Sequence, residues 1–386
     1  MKNGKSHQIP ADITKPIGGG GEKPAISSSA RFLKWENDII GIINSANGVS
    51  FSQPNFNEIV KLYTHGAASW VPEQFIEFLS ERLISRDRRD IERILFRLGL
   101  SYYDVLRIAE ITRGIHPKDL FWIANDKNES LDTVITDVFD SVFRQRIDLI
   151  GDSIDTPEGY NIKRYGVYNG QYGIFKQRIN PLTTDAESEI AVFLLAQKLG
   201  VPCCPAYRVD KNTVFSAFLY DFSTEYIVHF RRLFDKARSD NEYQNLSQVR
   251  PQYKDEIARM ILLDFITRQD DRHLSNIAIK MSSGGESFYP LYDNGRSLFY
   301  EDTAETVSLA IADPEKHSTT FGYSGTYFDY VREIAAERDG LKGLLNFNIS
   351  EADVFAVLKE AGFADYRLDG AAKWIMNALL MAASLC

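Results

Sequence analysis

The spacing of apolar residues changes along this chain and divides it into stretches of different character. Residues 1–30 hold Pro10, Pro16, the run Gly18 to Gly21, Pro24 and several serines, with no apolar period. Such a composition buries too little surface to offset the entropy of ordering, so a flexible tail is expected. From Phe32 to about Gly99 the pattern reads as helical. Phe75, Phe78, Leu79 and Leu83 recur at helical spacing, and Ile91, Ile94, Leu95 and Leu98 do so again before Gly99. Asp104 to Thr112 predicts another helix, closed by Gly114. A helical N-terminal region is therefore expected over 31–148, and no period of roughly 20 to 50 residues points to a solenoid.

From about Tyr160 the period becomes two. Tyr165 and Val167 lead to Asn169-Gly170, then Tyr172, Ile174 and Lys176. Asn-Gly between alternating segments predicts a tight hairpin. A helix is expected from about Thr184 to Leu199, stopped by Gly200 and Pro202, followed by a strand pair near Tyr207–Val209 and Val214–Leu219. From Tyr226 onward the spacing is mostly helical, interrupted by a loop at Asp271 and a strand-like Ser287–Tyr292. A strand-rich part with one helix, then a helical part, predicts two lobes around a cleft.

Composition narrows the reading without redirecting it. A chain of 386 residues exceeds one small core, so two domains or a bilobal one are expected. A net charge of −9 argues against a broad nucleic-acid-binding face. Cys203, Cys204 and Cys386 form neither a disulfide framework nor a metal spacing, which fits a reducing, cytoplasmic setting. The start of the chain lacks a signal-peptide core, and the apolar stretch Trp374 to Cys386 is too short to span a bilayer.

The chemistry concentrates in Asp271-Arg272-His273-Leu274-Ser275-Asn276 and in Asp293, within Tyr-Asp-Asn-Gly. A carboxylate, an amide five positions on and a later carboxylate are the polar set phosphoryl transfer uses: one acid orients the attacking hydroxyl, while the amide and the second acid hold magnesium. A five-residue step on an α-helix turns about 500°, leaving the side chains about 140° apart. Asp271 and Asn276 therefore require a loop to face one site. His273 reads as a loop residue bonded to backbone, because no histidine or cysteine cluster supports zinc.

Lys176 shares a strand face with Ile174 and Tyr172, so its ammonium points either into a cleft, toward nucleotide phosphates, or out to solvent. Glu189, on the following helix, is the candidate partner, with Asp185 and Glu187 as competitors. The segment Thr156 to Lys163 has one glycine, Gly159, and is neither a Walker loop nor a glycine triplet. Its backbone amides and Lys163 are candidates for phosphate contact, against the alternative of an ordinary loop before a hairpin.

Taken in order, Thr156-x-x-Gly159-x-x-x-Lys163, Lys176, Glu189, Asp271-Arg-His-x-x-Asn276 and Asp293-x-Gly295 resemble HipA-like serine/threonine kinases, from about residue 150 to the C-terminus. The loop string also resembles that of phosphatidylinositol 3- and 4-kinases. The resemblance implies an α+β, bilobal protein-kinase-like fold: a small β-rich N-lobe over 149–225 and a larger helical C-lobe over 226–386, preceded by the extra helical region. It implies ATP and Mg2+ as cofactors, Asp271 as catalytic aspartate, and Asn276 and Asp293 as metal ligands. Lys176 would then bind ATP phosphates with Glu189 as ion-pair partner, while Gly159 and Lys163 would lie in the phosphate loop. Thr156 stands where toxins of the family carry an autophosphorylated serine. By analogy, an aminoacyl-tRNA synthetase is the protein substrate and a DNA-binding antitoxin the partner.

Other function classes stay in view. A phosphatidylinositol or small-molecule kinase keeps the same site, but a lipid kinase should offer a basic surface, and the stretch Arg86 to Arg93 is interrupted by Asp87, Asp90 and Glu92. A regulatory module of a toxin–antitoxin system that binds nucleotide without turnover is the non-catalytic alternative. Direct nucleic-acid binding rests only on the arginines of that stretch.

Overall fold

A computed structural model describes residues 30–83, 86, 91–116, 119–138, 163–222, 224–234, 242–319 and 325–386. The expected tail before residue 30, and Thr156 and Gly159 of the expected phosphate loop, lie outside the described residues. The chain divides into two compact units, Met1–Ile115 with Phe121–Ser130, and His116–Leu120 with Leu131–Cys386.

The first unit corrects the expectation of a helical region. Strands β1 (Arg31–Trp35), β2 (Asp38–Ile43), β3 (Val49–Phe51), β4 (Ser69–Trp70) and β5 (Phe121–Ala124) form an antiparallel sheet ordered β4-β3-β2-β1-β5. Helices α1 (Glu58–Thr64), α2 (Pro72–Ser80), α3 (Ile91–Arg97) and α4 (Val105–Thr112) accompany it. The strands escape a period-two reading for identifiable reasons. In β1 the residues Leu33, Lys34 and Trp35 are all buried, with a register shift between Leu33 and Lys34, and β5 is buried throughout. Glu36 takes a left-handed φ of 52° in the β1–β2 turn, so no glycine marks it. The helices follow expectation: Asp104 caps α4 through the backbone N–H groups of Leu106 and Arg107, and Gly114 follows it at φ 59°. Lys34 is buried beneath Trp122 and donates to the Glu129 carbonyl at 2.6 Å; burial lowers its pKa against the opposing pull of Glu129.

The second unit opens with α5 (Leu131–Val138). A four-stranded antiparallel sheet follows, ordered β6-β7-β9-β8: β6 (Lys163–Tyr168), β7 (Gln171–Gln177), β8 (Ala206–Arg208) and β9 (Thr213–Ala217). Asn169 and Gly170, at φ 50° and 78°, make the predicted tight turn. One face of this sheet buries Phe175, Phe215 and Ala217. Gly173 permits the β7–β9 approach, because a Cβ there would lie 2.2 Å from the Ser216 carbonyl and 2.5 Å from the Phe215 ring. Helix α6 (Asp185–Leu199) crosses between β7 and β8 and ends at Gly200 in the left-handed conformation. It packs on β8 and β9, and also on α12 (Glu351–Ala361), so it is buried on more than one side.

Beyond the sheet, β10 (Tyr226–His229), α7 (Phe230–Leu233) and α8 (Glu242–Val249) lead to α9 (Lys254–Ile266). Strands β11 (Ala278–Ser282) and β12 (Gly285–Phe288) join β10 in a three-stranded antiparallel sheet. Helices α10 (Ala304–Ala312), α11 (Tyr327–Arg338), α12 and α13 (Asp365–Ala383) complete the unit. Helix α9 is its centre: Ile257, Met260, Ile261, Leu262, Leu263, Phe265 and Ile266 are fully buried against α11 and α13. The Trp374 indole donates to the Phe265 carbonyl at 3.1 Å. Among the described residues no helix is long and apolar enough to cross a membrane. The second unit thus has a β-rich part followed by a larger helical part, an α+β architecture.

Candidate active site

The β6–β7 ladder places Lys163 directly opposite Lys176. Like charges in that position repel. Asp293 resolves the repulsion: its two oxygens accept from Lys163 Nζ at 3.0 Å and Lys176 Nζ at 3.1 Å. Lys176 also donates to Glu189 Oε1 at 2.8 Å, and Ser216 Oγ donates to the same oxygen at 2.8 Å. Lys176 therefore points into the protein, not to bulk water. Burial alone would lower its pKa, but Asp293 and Glu189 outweigh that and hold the ammonium above its ordinary value. Burial likewise opposes ionisation of Asp293, and the two lysines more than reverse it, holding the carboxyl well below its ordinary value.

The competitors for Lys176 are engaged elsewhere. Asp185 accepts from the Ile179 backbone N–H and from Thr183 Oγ1. Glu187 pairs with Arg178 and Arg208. Glu189 is 2% exposed, because α6 is covered on several sides. Its second oxygen, Oε2, is buried and makes no hydrogen bond among the described residues. Gly295 packs close by, where a Cβ would meet that oxygen at 3.3 Å and the Asp185 carbonyl at 3.2 Å.

Residues 267–273 contain no helix, and Leu274–Asn276 is a single 3-10 turn. The loop is held by pairing with the segment after Asp293: the Asp270 N–H donates to the Arg296 carbonyl and the Leu298 N–H to the Thr267 carbonyl. Asn276 is buried, and its Nδ2 donates to the Asp271 carbonyl at 2.9 Å, so its side chain folds back over the loop. The Asp271 carboxylate has no hydrogen bond among the described residues; Arg296 lies 3.7 Å from it and the His273 ring 3.9 Å. Burial raises its pKa, Arg296 and His273 pull the other way, and Asp293 adds to the rise. His273 accepts from the Ser275 N–H through Nδ1, a backbone bond as expected.

Spacing along the chain gives Arg272 no role. It is fully buried, pairs with Asp264 of α9, and also bonds Asn276, Tyr292 and Asn294. The signal for it was present in the chain: Asp264 is a lone acid within the apolar run Met260 to Ile266, and a buried acid implies a counter-charge. The bond from Ser216 to Glu189 had no such signal.

The donor chemistry fits a magnesium–nucleotide pair. Asn276 and Asp293 carry hard oxygen donors of the kind magnesium takes beside phosphate oxygens, and two lysines face the Asp293 carboxylate. Among the described residues no group of three or more His, Cys, Asp or Glu side chains forms a metal cluster.

No protein-family model matches the chain, and no curated protein matches it in sequence. Solved structures do match. One is that of the Shewanella oneidensis MR-1 toxin–antitoxin system HipA and HipB with operator DNA, at 13% identity and a TM-score of 0.50, covering 92% of this chain and 97% of that one. Another is the Helicobacter pylori proinflammatory kinase CtkA, at 13% identity and a TM-score of 0.48, covering 61% of this chain and 93% of that one. The likeness to the first shows the fold. Its extent takes in N-terminal residues that the sequence resemblance had set apart as an addition.

Proposed function

We propose that this chain is an ATP- and magnesium-dependent kinase that phosphorylates a serine or threonine hydroxyl of a protein. The observation that carries the reading is the cross-strand lysine pair, Lys163 and Lys176, converging on Asp293 while Glu189 braces Lys176. Two lysines face to face on a strand pair repel each other, and a nucleotide polyphosphate bound there would add to the neutralisation that Asp293 supplies.

In this reading Lys176 and Lys163 bind the nucleotide phosphates, and Glu189 with Ser216 fixes the Lys176 ammonium. Asn276 and Asp293 would hold magnesium, which neutralises charge on the transferred group when bound. Asp271 orients the acceptor hydroxyl and takes its proton at the carboxylate. Freedom from short hydrogen bonds leaves that carboxylate available, and its raised pKa makes it a better base than an ordinary aspartate. Gly159 in a phosphate loop and Thr156 as an autophosphorylation position belong to the same proposal, carried by their order in the sequence. So do a cytoplasmic setting and, by fold likeness to HipA solved with HipB, an antitoxin-type partner.

Transfer of label from γ-labelled ATP tests the proposal. Wild type should label itself or an added protein acceptor, while Asp271→Asn and Asp293→Asn should lose labelling by several orders of magnitude. Equal labelling by wild type and both variants, or none by any, overturns it.

A further inference from the structure

Arg272 makes an unusual set of contacts for a residue beside a proposed catalytic acid. Nε and one terminal nitrogen grip the Asp264 carboxylate in bidentate fashion, at 3.0 Å each. The same terminal nitrogen donates to Asn294 Oδ1 at 2.6 Å. The other donates to the Asn276 carbonyl at 3.2 Å and the Tyr292 carbonyl at 2.8 Å. The five N–H donors of a guanidinium are all engaged, and the group is fully buried. Its partners fall on three elements: the central helix α9, the loop turn that ends in Asn276, and the two residues flanking Asp293.

That distribution has a consequence for the metal site. Asn276 and Asp293 stand seventeen residues apart in sequence, yet the backbone of one and both neighbours of the other meet a single rigid planar cation. Asp293 itself sits at a left-handed φ of 56°, a conformation that neighbouring contacts must sustain. Tyr292 is secured a second time, its hydroxyl donating to the Ser275 carbonyl at 2.8 Å. Asn294 is also held from its far side, its Nδ2 donating to Cys203 Sγ at 3.4 Å. Asp264, itself buried in α9, fixes the guanidinium in turn.

We infer that Arg272 is a positioning residue for the magnesium site, setting the spacing of Asn276 and Asp293 through one buried guanidinium anchored on Asp264. The inference rests on the proposed kinase reading. Lysine cannot replace it, because a single ammonium reaches at most a few of these acceptors and lacks the planar fork. Lys163 and Lys176 share Asp293 with the metal site, but Glu189 and Ser216 also hold Lys176, a brace that does not run through Arg272, so loss of Arg272 weakens the metal arm and leaves that brace in place.

The test is a fluorescent ATP analogue bound to full-length wild type, Arg272→Lys and Asn294→Ala, first in EDTA and then across a magnesium titration, with thermal unfolding recorded alongside. The expected result is unchanged analogue affinity in EDTA and a magnesium midpoint raised about 10- to 100-fold, the range typical of losing an outer-shell partner of a metal ligand. A purely structural role would lower the unfolding temperature and both affinities together, or leave the midpoint unchanged; either result overturns the inference. If Arg272→Lys does not fold, Asn294→Ala, which keeps the Arg272–Asp264 pair, decides by the same criteria. Failure of the wild type to bind the analogue at all sinks the kinase reading and this inference with it. A magnesium-dependent wild type with unaltered variants sinks this inference alone.

Discussion

Replacing Asp293 with asparagine removes the one charge that reconciles two facing lysines. Lys163 Nζ and Lys176 Nζ lie 3.0 and 3.1 Å from its oxygens. At an effective dielectric near 20, each contact contributes about 5 kcal/mol of gross attraction. Most of that is offset by desolvation, and two features reduce the loss further. Lys176 keeps Glu189, and the Lys163 side chain, 20% exposed, can turn toward water. The net cost should therefore fall below the roughly 3–5 kcal/mol of breaking a fully buried pair. About 2 kcal/mol is expected, or a drop of about 4–8 °C in Tm for a domain of this size. Thermal and denaturant unfolding in metal- and nucleotide-free buffer would measure it. A double-mutant cycle sharpens the assay: with Lys163→Met already present, the lysine–lysine repulsion is gone and Asp293→Asn should cost less. An Asp293→Asn variant as stable as wild type, or a cycle with no coupling between the two sites, would refute the reasoning.

Other expectations follow from the same geometry. Because the Asp293 pKa is depressed in the folded state, its contribution to stability is full above the ordinary aspartate range, about pH 4, and fades as pH falls below it toward the folded value. The stability gap between wild type and Asp293→Asn, followed by denaturation from pH 8 downward, should stay flat and then close only in that acidic window. Asp271 is shifted the other way, so the acidic limb of a kcat/KM–pH profile should lie above the ordinary aspartate pKa, and Arg296→Gln, which removes a lowering charge, should move it higher. Gly173→Ala should cost about 1–3 kcal/mol in urea unfolding, since the new Cβ would overlap the Ser216 carbonyl and the Phe215 ring. A neutral result there would mean that β7 and β9 approach less closely than described.

The second unit was legible in the chain where local rules dominate. Asn169-Gly170 has few alternatives to a tight hairpin turn, Gly200 ends α6 because it accepts a left-handed φ, and a five-residue spacing excludes Asp271 and Asn276 from one helix face. The first unit was misread because its strands are short, one carries a register shift, another is buried on both faces, and a turn is made by Glu36 without glycine. Each of these erases the two-residue period that marks a strand.

What the residue string by itself determined is the inventory of the candidate site and its order: a hairpin lysine, a helical glutamate, a loop acid and amide, a later acid. Those follow from spacing and turn chemistry, which act over a few residues. Which carboxylate Lys176 chooses, that Lys163 faces it across a ladder, and that Arg272 ties Asn276 and the neighbours of Asp293 to α9 were decided only by tertiary structure. Charge pairing in a buried site depends on distance and desolvation, and neither is written in sequence separation: Lys176 and Asp293 are 117 residues apart and touch.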